Sequence, residues 1–143
     1  MRLFHLGLLA FLTTLPGCDL IGLLPNRTTV RMVNNSDFDV EIVIFIDDEQ
    51  DLPESVLTEV GTELRFTVAP GETASFSRDC DQLQAIIVDD ADLSVVGEVG
   101  PDTSTDVLRD GSDFGCGDTI TLTFDHSALV IDFAVSVSVE SRP

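Results

Sequence analysis

Apolar and polar residues alternate along most of the chain, which predicts β-strands. In residues 38–46 every second residue is Phe, Val or Ile, and acidic residues separate the first of them. Because successive strand residues point to opposite faces, this pattern predicts a strand with one face in a core. Val43 and Phe45 also occupy the other face, so the second half of the strand is predicted to be covered on both sides.

The same alternation predicts further strands, whereas a single segment has helical spacing. Leu52, Val56, Leu57 and Val60 recur at the spacing of one helix face, and Pro53 suits a first helical turn. We therefore predict one short helix near residues 52–60. Further strands are predicted over residues 28–34, 64–68, 74–76, 83–88, 93–99, 119–124 and 131–139, with a short one at 107–108.

Short strands separated by turn residues at intervals of about ten residues indicate an all-β fold. Residues 34–37, Asn-Asn-Ser-Asp, form one such turn signal, because these side chains hydrogen-bond to nearby backbone. We predict an antiparallel, immunoglobulin-like β-sandwich. The similarity to immunoglobulin domains is limited to the arrangement of two packed sheets, since the chain lacks the tryptophan that marks those domains.

The N-terminus has a different pattern. Arg2 is followed by 13 mostly apolar residues, 3–15, and the segment closes with Leu15-Pro16-Gly17-Cys18. These features are typical of a secretory signal peptide, and the last four residues resemble the lipobox of bacterial lipoproteins. The resemblance covers residues 1–18 and implies that Cys18 becomes the acylated first residue, carrying chains such as palmitate. An ordinary signal peptide cut near Cys18 is the alternative.

This interpretation divides the chain into a lipoprotein signal peptide (1–17), a tether (18–27) and a β-sandwich domain (28–141). The apolar run is too short for a transmembrane anchor, which needs about 18 or more apolar residues. Two or three acyl chains instead hold a protein firmly on a membrane. The resemblance implies a place in the bacterial cell envelope, with the domain on the periplasmic or extracellular side of an inner or outer membrane.

Charge limits the partners of the domain. The chain has 26 acidic and 7 basic residues, a formal net charge of −19, and no lysine. Removal of Arg2 with the signal leaves 26 acids against 6 arginines, a net charge of −20. Such a surface argues against nucleic acid, whose phosphates need basic patches, and against contact with an anionic leaflet. The acidic balance is also typical of adaptation to a salty habitat.

Two cysteines remain once Cys18 is acylated. Cys80 and Cys116 form an even pair in an exported protein, which favours a disulfide. A metal site is a poor alternative, because neither cysteine has a nearby cysteine partner and the mature chain has one histidine, His126, elsewhere in sequence.

Two acidic runs make calcium the one metal to consider. One run is predicted to end the strand over 83–88, and the other surrounds Cys116; their residues are Asp89, Asp90, Asp92, Asp110, Asp113 and Asp118. Calcium takes six to eight oxygen ligands, often from loops. If the loops at one end of a sandwich converge, these carboxylates are candidate ligands. Otherwise they form a solvated acidic rim.

The motifs that would indicate catalysis are weak. Asp125-His126-Ser127 contains triad residue types, but consecutive strand residues do not converge on one site, and we predict a turn there. We therefore predict a non-enzymatic binding or structural module, anchored to a membrane, whose partner is an envelope protein or polysaccharide. The alternatives are a calcium-dependent adhesion or carbohydrate-binding module and, third, a carboxylate-based hydrolase.

Overall fold

The computed structural model describes residues 26–95, 98–127 and 132–142, so the signal peptide, Cys18 and most of the predicted tether lie outside the described residues. In this part of the chain nine strands form two sheets, one short helix connects two strands of the same sheet, and the predicted all-β sandwich is confirmed. No helix here is long and apolar enough to cross a membrane. The elements are β1 (Arg27–Asn34), β2 (Asp39–Asp47), α1 (Glu54–Val60), β3 (Thr62–Val68), β4 (Thr73–Asp79), β5 (Ala85–Val95), β6 (Glu98–Thr103), β7 (Leu108–Arg109), β8 (Thr119–Ser127) and β9 (Asp132–Glu140).

The strands divide between the two sheets in a fixed order. Sheet A has the order β4-β1-β8-β9, and sheet B has the order β3-β2-β5-β6, with β7 also paired to β5. Every pair is antiparallel except β1 with β8, which run parallel with Thr29 beside Thr119. The sequence predicted a wholly antiparallel sandwich, and this pair is the exception. The two strands run parallel because both begin at the same end of the sandwich.

The core lies between the two sheets and follows the alternation in the sequence. In β2 the alternate residues from Val40 to Ile46 are buried, and in β8 the buried residues are Ile120, Leu122 and Phe124. Burying a side chain of this size stabilises the fold by about 1.5–3 kcal/mol relative to exposure. The rows of apolar residues from the two sheets therefore supply most of the driving force for packing them together.

One pair of predicted strands is corrected by the structure. Residues 83–88 and 93–99 were expected to be separate strands, the first ended by the acidic run that follows it, whereas residues 85–95 form the single strand β5. Val43 of β2 lies opposite Asp90 and Ile44 lies opposite Val88, so Asp89 is an extra, bulged residue. A bulge of this kind bends a strand without ending it.

Helix α1 lies on the outer face of sheet B. It begins two residues later than predicted, with Pro53 at the N-cap position and no side-chain cap, and its buried residue Leu57 packs with Ala85 and Ile87. Gly61 ends the helix, and its N–H donates to the Leu57 carbonyl at 2.9 Å. A Cβ on Gly61 would lie 2.5 Å from that carbonyl oxygen, so this close approach requires glycine.

Candidate functional site

The part of the outer face of sheet B that α1 leaves open carries a row of carboxylates. Glu41 of β2 lies beside Asp92 of β5, and Asp92 lies beside Asp102 of β6. Asp90 is two residues before Asp92 and therefore points to the same side of the sheet. We call these four residues, Glu41, Asp90, Asp92 and Asp102, the acidic face.

Asp92 lies at the centre of the acidic face, between Glu41 and Asp102. Burial raises the pKa of Asp92 above its usual value, and the negative charges of Asp90, Asp102 and Glu41 raise this pKa further. The side chain borders a shallow depression of about 230 Å³, whose other wall is formed by Arg65 and Thr67 of β3. The site therefore combines concentrated negative charge with one arginine at its edge.

The bulge at Asp89 decides which residues form this face. Before the bulge Ile86 and Val88 point into the core, and after it the core residues are Ala91 and Leu93. The extra residue changes the parity of the strand, so that Asp90 and Asp92 point outward instead of into the core. Asp89 itself is exposed.

The six predicted calcium ligands do not converge. Asp89, Asp90 and Asp92 lie within β5 beside residues 41–43 of β2, whereas the segment with the other three follows β7, which pairs with Ala85 and Ile86 at the start of β5. The two acidic runs are therefore at different heights along β5. Across residues 26–95, 98–127 and 132–142, no three acidic, histidine or cysteine side chains are grouped so as to hold a metal ion.

In the loop between β7 and β8, carboxylates accept hydrogen bonds from the chain itself. Asp113 Oδ2 accepts from the Arg109 N–H at 2.8 Å and from the Ser112 hydroxyl at 3.0 Å. Asp118, which is 9% exposed, accepts from the Gly115 N–H at 2.7 Å. These bonds order the loop locally. Calcium binding by the acidic residues stays a prediction.

The predicted disulfide is present and closes the end of the sandwich where the described chain begins. Cys80 and Cys116 are bonded, with a Cα–Cα distance of 5.3 Å. The Cys80 N–H donates to the Asn26 carbonyl at 3.1 Å, which places the disulfide beside the start of β1. Thr28, fully buried, lies beneath it, with its hydroxyl 3.8 Å from Cys80 Sγ and 3.5 Å from the Gly115 carbonyl oxygen.

Asp125 and His126 do not form a catalytic pair. They lie within β8, which continues to Ser127, so the turn that the sequence predicted at this point is a strand. The Asp125 carboxylate accepts from the Asn35 amide at 3.1 Å. The His126 ring instead packs edge-to-face with Phe38, with the ring centroids 5.8 Å apart. The two side chains therefore contact different residues, Asn35 and Phe38, and not each other.

Sequence reasoning missed two members of the acidic face, Glu41 and Asp102. Each belongs to a different strand from Asp92, and their proximity depends on the strand order β2-β5-β6. The alternation in residues 38–46 does place Glu41 on the outer face of its strand. Nothing local in the sequence specifies which strands lie beside it.

Comparisons with known proteins do not assign the chain to a family. No protein-family model matches it, and no curated protein matches it. Among solved structures, the T6SS lipoprotein TssJ1 from Pseudomonas aeruginosa is 14% identical with a TM-score of 0.47, over 84% of this chain and 100% of that chain. A protein from Eubacterium rectale is 18% identical with a TM-score of 0.43, over 85% of this chain and 94% of that chain. Listeriolysin O is 10% identical with a TM-score of 0.45, over 80% of this chain and 23% of that chain.

Proposed function

We propose that the protein is a lipid-anchored protein of the bacterial envelope whose β-sandwich is a non-enzymatic binding module. The observation that carries this proposal is the position of Cys18 relative to the folded domain. Arg27, where β1 begins, is the ninth residue after Cys18 of the motif Leu15-Pro16-Gly17-Cys18. Nine residues reach at most about 30 Å when fully extended, so an anchor at Cys18 holds the domain close to the membrane.

The anchor also orients the domain. The described chain enters at Asn26, whose carbonyl accepts a hydrogen bond from Cys80, so the disulfide end of the sandwich faces the membrane. Strands β1 and β2 then place Asn34 and Asp39 at the opposite end. The outer faces of the two sheets then stand perpendicular to the membrane surface, where a partner in the envelope has access to them.

The acidic face is the surface that we assign to the partner. Its four carboxylates lie on three neighbouring strands and one of them, Asp92, is held close to the other three in a shallow depression. Concentrated negative charge on a firm sheet favours a positively charged region of another envelope protein, because complementary charge speeds encounter and disfavours wrong partners.

The anchoring is tested with Cys18→Ser. In cells, the wild-type chain should partition into detergent and its intact mass should correspond to an acylated chain that begins at Cys18. The variant should be soluble or remain unprocessed, because it has no thiol to acylate. A wild-type chain with an unmodified N-terminus would contradict the proposal.

The binding face is tested by recovering partners from detergent-solubilised envelope. The double variant Asp90→Asn, Asp92→Asn should lose a partner that the wild type retains, and raising the salt concentration should release the same partner. The matched control is Asp37→Asn, Asp106→Asn, which removes the same charge from two exposed positions outside the acidic face. Equal recovery by both double variants would exclude the acidic face as the binding surface.

A further inference from the structure

A depression of about 440 Å³ lies at the corner where the outer face of sheet A meets the disulfide end of the sandwich. Its volume is within the range of small-ligand sites, about 300–1,000 Å³. The wall is formed by the starts of β1 and β8 and by the last residue of β9 with the two that follow it. It includes Arg27, Thr29, Thr119, Glu140, Ser141 and Arg142. We call this depression the corner pocket.

The register of sheet A places the polar residues of the corner pocket side by side. Thr29 of β1 lies beside Thr119 of β8, and Thr119 lies beside Glu140 of β9. Thr28 and Ile120, the chain neighbours of the two threonines, are buried, so this row points to the outer face of the sheet. The pocket therefore contains two hydroxyls and one carboxylate on three neighbouring strands.

Two arginines carry the positive charge of the corner pocket. Arg27 Nε lies 3.1 Å from Asp79 Oδ1, so the charge of this arginine is balanced within the protein. The ion pairs formed among the described residues include neither Arg142 nor Glu140. Asp118 Oδ1 accepts a hydrogen bond from the backbone N–H of Arg142 at 3.3 Å, which holds this residue at the pocket beyond the end of β9. The pocket therefore offers one unbalanced cation and one unbalanced carboxylate.

A ligand that matches this arrangement carries one negative and one positive group. A guanidinium binds phosphate through paired N–H donors, and a carboxylate accepts hydrogen bonds from a primary ammonium, which has three donors. A quaternary ammonium has no N–H and is bound by aromatic cages instead. The described residues that line the corner pocket include no aromatic side chain. The lining therefore favours a phosphate joined to a primary amine.

We propose that the corner pocket binds the phosphoethanolamine headgroup of a phospholipid in the membrane that anchors the chain. This inference rests on the proposed function, which places the disulfide end of the sandwich against the membrane. Arg27, in the wall of the pocket, is the ninth residue after Cys18. The headgroup is neutral overall, so a chain with a formal net charge of −19 is not repelled from it as it is from an anionic lipid.

A headgroup in the corner pocket gives the domain a second contact with its membrane. The lipid anchor keeps the domain at the bilayer surface, where the local concentration of headgroups is high, so a weak site is occupied. A tether alone leaves the domain able to tilt. A second contact at the corner limits this tilting and keeps the acidic face exposed to a partner.

The first experiment is a nuclear magnetic resonance titration of the full chain in maltoside detergent, with soluble glycerophosphoethanolamine as the probe. The probe should shift the backbone amide signals of Gly117 and Arg142 in a saturable manner. Glycerophosphocholine and inorganic phosphate should bind about tenfold more weakly or less, because neither has an ammonium N–H to donate to Glu140. Equal binding of either compound, or no saturable shift with glycerophosphoethanolamine, would overturn the proposal. This titration does not depend on acylation of Cys18.

Charge variants assign the binding to the two unbalanced groups. Arg142→Gln and Glu140→Gln should each weaken binding of glycerophosphoethanolamine by about tenfold or more, because each removes a charge-assisted hydrogen bond. Both side chains are exposed, so the variants should fold. The matched controls are Arg31→Gln and Asp132→Asn, which neutralise exposed residues of β1 and β9 outside the pocket and should leave the affinity unchanged. Equal weakening in the pocket and control variants would contradict the assigned site.

The second experiment tests whether the headgroup comes from the membrane. The full chain is placed in bicelles of phosphatidylcholine with or without phosphatidylethanolamine, both of which are neutral lipids. The amide signals of Gly117 and Arg142 should shift when phosphatidylethanolamine is present, and phosphatidylglycerol in its place should not shift them. Binding of the soluble headgroup by an acylated chain that does not respond to these bicelles would overturn the lipid as its source. Failure of the proposed anchoring is recognised separately, by the intact mass of a chain without acyl groups.

Discussion

At the scale of single residues, the buried asparagine Asn34 connects the end of β1 to two other segments. Its side-chain amide donates to the carbonyls of Phe38 at 2.7 Å and Val68 at 2.8 Å. Its side-chain oxygen accepts from the Ser36 N–H at 2.8 Å and the Ser36 hydroxyl at 2.7 Å. The residue is fully buried, and all four of its side-chain hydrogen bonds are made within the protein.

We expect Asn34→Ala to destabilise the domain by about 3 kcal/mol, since it leaves several buried polar groups without partners. Chemical denaturation monitored by circular dichroism measures this change. Asn35→Ala is the matched control. Asn35 is the next residue in the chain, and its side chain is exposed and makes one hydrogen bond, to Asp125 at 3.1 Å. The control should change stability by less than about 0.5 kcal/mol. Similar losses in the two variants would contradict the assigned role of Asn34.

Asp92 carries a prediction about pH. Its pKa is raised in the folded state, so the folded protein binds this proton more tightly than the unfolded chain does. The resulting stabilisation is fully present below the unfolded pKa of about 3.9 and is lost as pH rises through the higher folded pKa. At neutral pH the ionised Asp92 therefore opposes folding.

We expect Asp92→Asn to raise stability at neutral pH by up to about 1 kcal/mol, a modest value because the group is partly solvated. The gain should shrink as pH falls toward 4, where the wild-type carboxyl is also becoming neutral. Thermal melts from pH 4 to 8 give the comparison, with Asp106→Asn as the exposed single-charge control. A gain that is independent of pH would rule out the raised pKa as its cause.

At the scale of elements, the bulge in β5 lets the outer face of one strand change from apolar residues under α1 to acidic residues that the helix does not cover. On the outer face, Ala85 and Ile87 are covered by α1, and beyond the bulge Asp90 and Asp92 are half-buried and not covered by the helix. On the inner face, Val88 and Ala91 remain in one continuous core. The extra residue thus keeps the apolar residues inside although the sequence changes its alternation at Asp89-Asp90.

We expect deletion of Asp89 to be tolerated, with a loss of less than about 1 kcal/mol, similar to a surface substitution. The shortened strand alternates regularly, so Ala91 and Leu93 keep their places in the core. Deletion of Ala91 is the control and should cost several kcal/mol, because either strand register then buries an aspartate. Denaturant melts of the two deletions test this difference. A fold that tolerates both deletions equally would show that β5 has no defined register.

At the scale of the whole molecule, negative charge sets the conditions under which the domain is stable. The chain has a formal net charge of −19, and four of its carboxylates share the acidic face. Repulsion among these charges opposes folding, and salt screens exposed charges over about 8–10 Å at physiological strength. We expect the melting temperature to rise from low to moderate sodium chloride. A melting temperature indifferent to salt would show that the charges are too dispersed to matter.

Calcium is tested separately at fixed ionic strength against an equal concentration of magnesium. For a solvated acidic rim we expect the two melting curves to coincide, since both ions screen charge equally. A specific site would instead raise the melting temperature with calcium alone, through mass action on the folded state. If such a gain disappears in Asp89→Ala or Asp113→Ala, the calcium-dependent module replaces the function proposed above.

The sequence alone determined the elements whose signals are local. Alternation identified the strands with one buried face, such as β2, because a side-chain period of two depends on the chain itself. The helix around Leu57 and the pairing of Cys80 with Cys116 were also predicted, the first from apolar spacing and the second because an exported chain with two remaining cysteines favours their oxidation. The cleavage and acylation at Cys18 stay a prediction of the sequence.

The tertiary structure alone decided which strands are neighbours. Alternation tells which face of a strand is buried but carries no information about strand order, so the parallel pairing of β1 with β8 and the row from Glu41 to Asp102 were not foreseen. The sequence predicts a strand end at the bulge, because an extra residue and a strand end break the alternation in the same way. The strand partner β2 resolves this ambiguity, since its register with Val88 and Asp90 holds β5 together through the break.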